Sequence, residues 1–247
     1  MDAAMYEAHE KLEDGHWWFE GRRRVIGRVL ETQLRPNPAR RILDVGCGTG
    51  GMFPLLARFG EVQGAESSAD ARARAQRRFP QVKVSGCELP ATLPEGKWDL
   101  ITAFDVIEHV EEAVQSLRSL RARLEPGGQL VVTVPAFEFL WSHHDEVNQH
   151  KRRYTRRLLA AQLEEAGFAV TFASYFNSLL FPAVAGVRVL QRLLPSRAAQ
   201  HEDPGDLSPT FAPLNFALTA LFGAEARLLP RLRLPAGVSL VAVASSH

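Results

Sequence analysis

The 247-residue chain holds only two cysteines, Cys47 and Cys87, which excludes a disulfide framework and any paired-cysteine metal spacing. A reducing cytoplasm is the simplest setting for such a chain. An excess of one charge is also lacking. Twenty-nine basic and 28 acidic side chains leave a formal net charge of +1, so no global field draws the protein to nucleic acid, and no nucleic-acid partner is expected. The arginines do cluster, at Arg22 to Arg24, Arg72 to Arg78 and Arg152 to Arg157, and read mostly as solvated helix faces. Met1 to Glu7 carry neither a basic start nor an apolar core, so no signal peptide is expected there. Long hydrophobic runs are missing too, and a spanning helix needs about 20 mostly apolar residues. Two stretches come near, 173–187 and 207–224. Both are uncharged but contain Asn177, Pro182, Pro209, Pro213 or Asn215, and they read as buried or interfacial helices. There is no internal repeat.

What is present fits one domain with an elaboration: 46% of residues are hydrophobic and 23% charged, enough for a full core. Strand-like runs at Arg41–Val45, Val62–Ala65, Val82–Ser85, Leu100–Phe104 and Gln129–Val134 alternate with helical runs at Gly51–Phe59, Ala69–Phe79 and Glu111–Leu124. That alternation predicts an α/β fold with a mainly parallel sheet and helices on both faces. A helix over Thr155–Ala166, capped by Thr155 and stopped by Gly167, leads to two more strands, Phe168–Phe176 and Val238–Ala244. About 60 residues separate those two strands, well beyond an ordinary connection. Two helices are expected between them, Ser178–Leu194 and Pro213–Leu229, joined by a polar, proline-rich and disordered linker at 195–209.

The densest signal is the run Leu43-Asp44-Val45-Gly46-Cys47-Gly48-Thr49-Gly50, where an apolar strand meets a glycine turn that opens a helix. Glycine lacks Cβ, so such a turn brings backbone against a ligand. Gly46, Gly48 and Gly51 also satisfy Gly-x-Gly-x-x-Gly, which admits a nicotinamide or flavin site. Asp44 separates the readings: a carboxylate beside the turn suits an ammonium better than a pyrophosphate. Glu66 ends the second strand about 20 residues on, where an acid meets ribose hydroxyls.

These residues, with Phe104-Asp105 after the fourth strand and Glu125-Pro126-Gly127-Gly128 before the fifth, resemble class I S-adenosylmethionine (SAM)-dependent methyltransferases over roughly residues 40–175. The resemblance implies a Rossmann-like, doubly wound, seven-stranded sheet with an antiparallel last strand. It makes 1–247 one methyltransferase domain, with an N-terminal helical cap at 1–38 and a helical insertion at 177–235. It implies SAM as cofactor and S-adenosylhomocysteine as product. It places Asp44, Gly46 and Gly48, with Cys47 between them, at the methionine end, Glu66 and the adjacent Ser67 at the ribose, Gly86, Cys87 and Glu88 at the adenine rim, and Phe104 and Asp105 on the far wall. His109, beside the cofactor strand, is a further cofactor contact that could also reach the acceptor or simply cap the following helix. Relatives often carry an aspartate near 85–88; here the residues are Ser85, Gly86, Cys87 and Glu88. His16 to Arg23, Leu140 to Asp145 and His150 to Thr155 resemble a bacterial type 11/12-like subgroup associated with small-molecule, lipid or saccharide methylation.

The segment after the fifth strand should overhang the acceptor. His143, His144 and His150 are candidate general bases for O-methylation, with Asp145 to orient one of them. Trp18, Arg22, Arg152, Arg153 and Tyr154 are candidate substrate contacts, Arg152 and Arg153 for a phosphate or carboxylate. An alternative is a purely structural network of Asp145, His150, Arg153 and Tyr154. A His/Asp metal site is a further alternative, but no metal is expected. The Trp17-Trp18-Phe19 cluster reads as a helix glued to the core or as a cofactor lid. The insertion reads as an acceptor pocket, a dimer interface or a peripheral membrane contact at the inner face, its arginines suiting a lipid phosphate. The expected partner is a small or lipid-linked acceptor, and the expected state a monomer or homodimer. A nicotinamide-dependent oxidoreductase and a non-catalytic interaction protein remain the rival functions.

Overall fold

The computed structural model describes residues 3–34, 37, 39–193, 210–229 and 231–246. Seven strands form one sheet: β1 (Arg41–Val45), β2 (Glu61–Glu66), β3 (Val84–Gly86), β4 (Trp98–Phe104), β5 (Leu124–Pro135), β6 (Phe168–Phe176) and β7 (Ser239–Ser246). Their order is β3-β2-β1-β4-β5-β7-β6, and β7 alone runs antiparallel to its neighbours. This is the doubly wound mixed sheet that the family resemblance implied, and it contains the mainly parallel centre expected from the residue pattern. Its centre is apolar on both faces, as a covered parallel sheet requires: Leu43, Leu100, Ile101 and Val131 are all fully buried.

Nine helices flank the sheet among the described residues: α1 (Ala3–Leu12), α2 (Trp17–Gln33), α3 (Phe53–Leu56), α4 (Ala69–Arg78), α5 (Ala113–Arg121), α6 (His143–Val147), α7 (Arg156–Glu165), α8 (Phe181–Leu193) and α9 (Ala212–Ala224). The capping residues explain several starts. Ser68 accepts from the Ala71 amide and Thr155 from the Leu158 amide. Helix α3 is shorter than its expected span because the chain tightens at once into i→i−3 turns at Arg58 and Phe59. Strand β5 starts earlier than expected. Leu124 already pairs with Trp98, and Gly127, at φ 76°, carries the irregularity inside the strand.

The N-terminal helices close over the carboxyl end of the sheet. Helix α2 buries Val25, Ile26, Val29 and Leu30 against the face that also holds Ile42, Leu100 and Val131. Helix α9 then docks on α2. Phe222 occupies the space a Cβ on Gly21 would take, and Asn215 accepts from the Trp17 amide at 2.8 Å while donating to the Gly15 carbonyl at 2.9 Å. Glu225 beyond α9 accepts from the Leu179 amide and so holds the approach to α8. The outer faces of α8 and α9 are apolar and open, with Phe216 76% exposed. No helix among the described residues is long and apolar enough to cross a membrane. The expected linker at 195–209 lies outside the described residues.

Candidate functional site

Beyond the carboxyl ends of β1, β2, β4 and β5 lies a cavity of about 670 Å³, within the usual size for a small-molecule site. The glycine turn forms its floor. Gly46 takes φ 68°, and a Cβ there would stand 2.4 Å from Val106, so only glycine fits. Gly48, at φ 53°, faces open space and presents bare backbone to the cavity. The Gly48 amide donates to Glu66 at 3.0 Å. The Ser68 amide and the Ser67 hydroxyl hold the other carboxylate oxygen at 2.9 and 3.1 Å. Glu66 is thereby fixed as an acceptor at the end of β2. The Tyr6 phenol stands beside it, and burial together with the Glu66 charge pushes that phenol up to about 12.

Asp44 is buried and accepts from the Thr102 hydroxyl at 2.6 Å. Burial pushes its carboxyl up to about 7, against the lowering effects of Thr102 and of the Arg22 charge. A cation reaching this carboxylate would favour its ionised form. Asp105, at φ 56°, turns its side chain back across the cavity to form an ion pair with Arg22 of α2. The Thr133 hydroxyl donates to Asp105 at 3.1 Å. The Arg22 guanidinium lies 5.1 Å from the Trp18 ring centre and 5.6 Å from that of Phe104. Trp18 and Arg22 therefore wall the cavity. Cys47 and Cys87 reach it too, but burial raises both thiols, Cys87 to about 11, so neither supplies a thiolate.

A second cluster closes the opposite end. The Asp145 carboxylate is wholly buried yet held well below the ordinary range. Burial raises it, but hydrogen bonds from His150 and Arg153 and the Arg153 charge outweigh that effect. Arg153 grips both its oxygens at 2.8 and 3.0 Å. An ionised carboxylate only accepts, so the His150 Nδ1, 2.8 Å from it, is the donor in this contact. The His109 ring lies 4.7 Å from that of His150. Burial and then the His150 charge lower His109 to about 4. Glu108 lies beside them, completely buried, and among the described residues neither carboxylate oxygen has a hydrogen-bond partner. Burial, followed by the Asp105 charge, raises it well above the carboxylate range.

The cavity gathers all the residues expected at the cofactor: Asp44, Gly46, Cys47, Gly48, Glu66, Ser67, Cys87, Glu88, Phe104, Asp105 and His109. From the acceptor side it gathers Trp18, Arg22, His144, His150 and Arg153. Three expected residues are not brought there. His143 begins α6 on the surface and faces Glu146 at 3.4 Å. Arg152 turns outward to the Glu111 carbonyl at 3.0 Å. Tyr154 is fully buried in the sheet-side core, where its backbone bridges to Ala136. Sequence reasoning missed Glu13, Thr49, Glu108 and Lys151, which line the cavity. Glu13 accepts from the Thr49 hydroxyl at 2.8 Å, binding the end of the N-terminal segment to the glycine turn.

A family model described as a methyltransferase domain matches residues 17–172. Among curated relatives, the trans-aconitate 2-methyltransferase of Rhodopseudomonas palustris is 32% identical over 47% of this chain and 47% of its own length. The mitochondrial ubiquinone biosynthesis O-methyltransferase of Schizosaccharomyces pombe is 31% identical over 47% of this chain and 50% of its own. The chain thus spans about half the length of these relatives. Among solved structures, Haemonchus contortus phosphoethanolamine N-methyltransferase 2 in complex with SAM superposes with a TM-score of 0.57 at 17% identity, covering 88% of this chain and 51% of that one.

Proposed function

Since the chain belongs to the methyltransferase domain family, we propose that it transfers the methyl group of SAM to an oxygen of a small-molecule acceptor, releasing S-adenosylhomocysteine. One observation carries this reading: a single cavity joins the Asp44–Gly48–Glu66 floor to the His144–His150 corner, so cofactor and acceptor ends share one space.

The residues present suit the cofactor. Glu66 offers fixed oxygens to a ribose diol, Asp44 a buried carboxylate to an ammonium, and Cys87 and Glu88 border the adenine position. Bound there, SAM supplies a methyl carbon on a positive sulfur that leaves as a neutral sulfide. The protein's own part is to hold the acceptor in line, keep water out and handle the acceptor's proton. Trp18 and Arg22 wall the cavity between the two ends. The corner around His150 faces the acceptor oxygen, with the imidazole oriented through its Nδ1 by Asp145. Lys151 and Arg22 border the same space and suit an anionic acceptor. Segment 177–235 governs acceptor access through α9, which is seated on the helix that carries Trp18 and Arg22. Its open apolar faces, flanked by Arg227 and Arg231, suit a lipid-linked acceptor at a membrane surface.

A dinucleotide site is disfavoured by Asp44, which would face a pyrophosphate. Calorimetric titration with SAM, S-adenosylhomocysteine and NADH is the test. Binding of both adenosyl compounds and not of NADH is expected, followed by SAM turnover on a panel of hydroxyl-bearing acids, quinols and lipid phosphates. NADH binding alone would overturn the reading.

A further inference from the structure

Three carboxylates stand at the acceptor end of the cavity. Asp105 is paired with Arg22, and Asp145 is gripped by Arg153 and His150. Glu108 is fully buried, and among the described residues it makes no ion pair and its two oxygens make no hydrogen bond. A carboxyl group so placed is costly whether charged or neutral, since even the neutral acid must satisfy a donor and an acceptor. Asp105, Arg22 and Arg153 act on it through their charges, and two imidazoles stand within ligand reach of it. One ligand atom each from Glu108, His109 and His150 lie within 4.8 Å of one another.

Those imidazoles are oriented from behind. The His150 Nδ1 donates a hydrogen bond to Asp145, so Nε2 is the ring nitrogen left to face a ligand. The backbone of Asn148 faces the His109 ring and favours a proton on it. Metal-binding histidines are held in this way, the far nitrogen donating to a carboxylate or a carbonyl so that the near one is basic and aimed. Two imidazoles and one carboxylate with an open side also match the donor set of catalytic divalent sites.

We propose that Glu108, His109 and His150 bind one divalent transition-metal ion whose open side faces the acceptor. This answers the sequence-based expectation of no metal, and its catalytic use rests on the methyltransferase reading above. Held there, the ion polarises an acceptor hydroxyl. The O–H bond breaks with its proton passing to His144 or solvent, and the oxygen pair forms the O–CH₃ bond as the S–CH₃ bond breaks with its electrons kept on sulfur. No oxidation state changes. The imidazole content favours zinc-like ions over Mg²⁺.

The test is direct binding. The full chain is stripped with a chelator and titrated with Co²⁺, read by visible absorption, and with Zn²⁺ in competition. One equivalent is expected, with a Co²⁺ band characteristic of imidazole ligands. Glu108→Gln and His150→Gln each weaken binding at least about tenfold, and Asp145→Asn weakens it about 10- to 100-fold. His143→Asn, on the outer surface, keeps the ion. Thermal melts establish that each variant is folded. Absence of binding by the wild-type chain at millimolar Co²⁺ and Zn²⁺, or binding unchanged in both Glu108→Gln and His150→Gln, overturns the proposal. SAM titration on the same samples separates the two readings: SAM binding without ion binding sinks this site alone, and ion binding without SAM binding sinks the methyltransferase reading alone.

Discussion

Arg22 on the second helix and Asp105 at the end of β4, 83 positions apart, form an ion pair across the cavity wall. The pair ties the N-terminal helices to the sheet at the point where the cavity needs a rim. The arginine side chain is 9% exposed and the aspartate 27%, so loss of either partner strands a largely desolvated charge. Arg22→Ala is expected to lower stability by about 3 kcal/mol and to weaken SAM binding, whereas a double-mutant cycle with Asp105→Asn should return a coupling of about 1–3 kcal/mol. Chemical denaturation of the four proteins measures it.

Asp44 makes cofactor binding depend on pH. Burial raises its carboxyl to about 7, so in the free protein it stays largely protonated below neutrality. The ionised form meets the ammonium. SAM affinity should therefore be full above about pH 7 and fall as pH drops, by up to about tenfold per unit. The free protein moves the opposite way: a raised carboxyl gives stability that is complete below the unfolded value of 3.8 and is lost as pH climbs through about 7. Thr102, Arg22 and Glu66 are the groups that set this value. Calorimetry of Asp44→Asn between pH 5.5 and 8.5, chosen to bracket about 7, should show weaker binding and a flat profile.

Gly21 is where α9 seats on α2. Its ideal Cβ would stand 2.3 Å from the Phe222 ring, itself fully buried and 6.2 Å from Phe176. Alanine ordinarily improves a helix by about 1 kcal/mol over glycine. Here the clash outweighs propensity, and Gly21→Ala should lower the melting temperature. Phe222→Ala alone should cost about 3–5 kcal/mol, and the double variant should be less damaged than the two losses summed.

Asp145 organises the corner through His150, Arg153 and the Ser142 amide at 2.8 Å. Asp145→Asn leaves the Arg153 charge without its buried partner. A loss of about 3 kcal/mol in stability is expected, together with a drop in kcat. Asp145→Glu, which keeps the charge, should recover part of the stability without the geometry.

The floor of the site was legible in the sequence because its signals are local. A glycine turn with an acid before it and another acid one strand later can be recognised without knowing the fold, and Asp44, Gly48 and Glu66 all face the cavity. The mainly parallel sheet followed from alternation of apolar runs with helices, whereas the strand order β3-β2-β1-β4-β5-β7-β6 is set by long-range pairing that no local run reveals. The acceptor end was harder to read. His143, His144 and His150 looked equivalent, yet the one-turn helix α6 sends His143 outward and His144 inward. Tyr154 and Arg152 lie where the chain rejoins the sheet at Ala136, and that bridge, not residue type, sends one into the core and the other away from the cavity to Glu111. Glu108 was hidden because it sits in a single 3₁₀ turn, Ile107–His109, which carries no periodicity to reveal the inward face.

The first two helices are fastened by unlike means. Helix α1 and the residues after it are tied down by charge: Glu10 to Arg74 at 2.6 Å, Asp14 to Arg78 at 3.0 Å, and Glu13 to Arg78. Helix α2 is held by Val25, Ile26, Val29 and Leu30 in the core. Gly15, with no neighbour within 4 Å of where its Cβ would be, lies between them. Salt weakens the first kind of fastening and leaves the second in place. Ionic strength is therefore expected to act as a selective key: it loosens the more exposed contacts of Glu10 and Asp14 beside the glycine turn, while the apolar seat of the second helix and the largely desolvated Arg22–Asp105 pair are screened far less, so the residence time of a ligand on that turn should shorten as salt is raised.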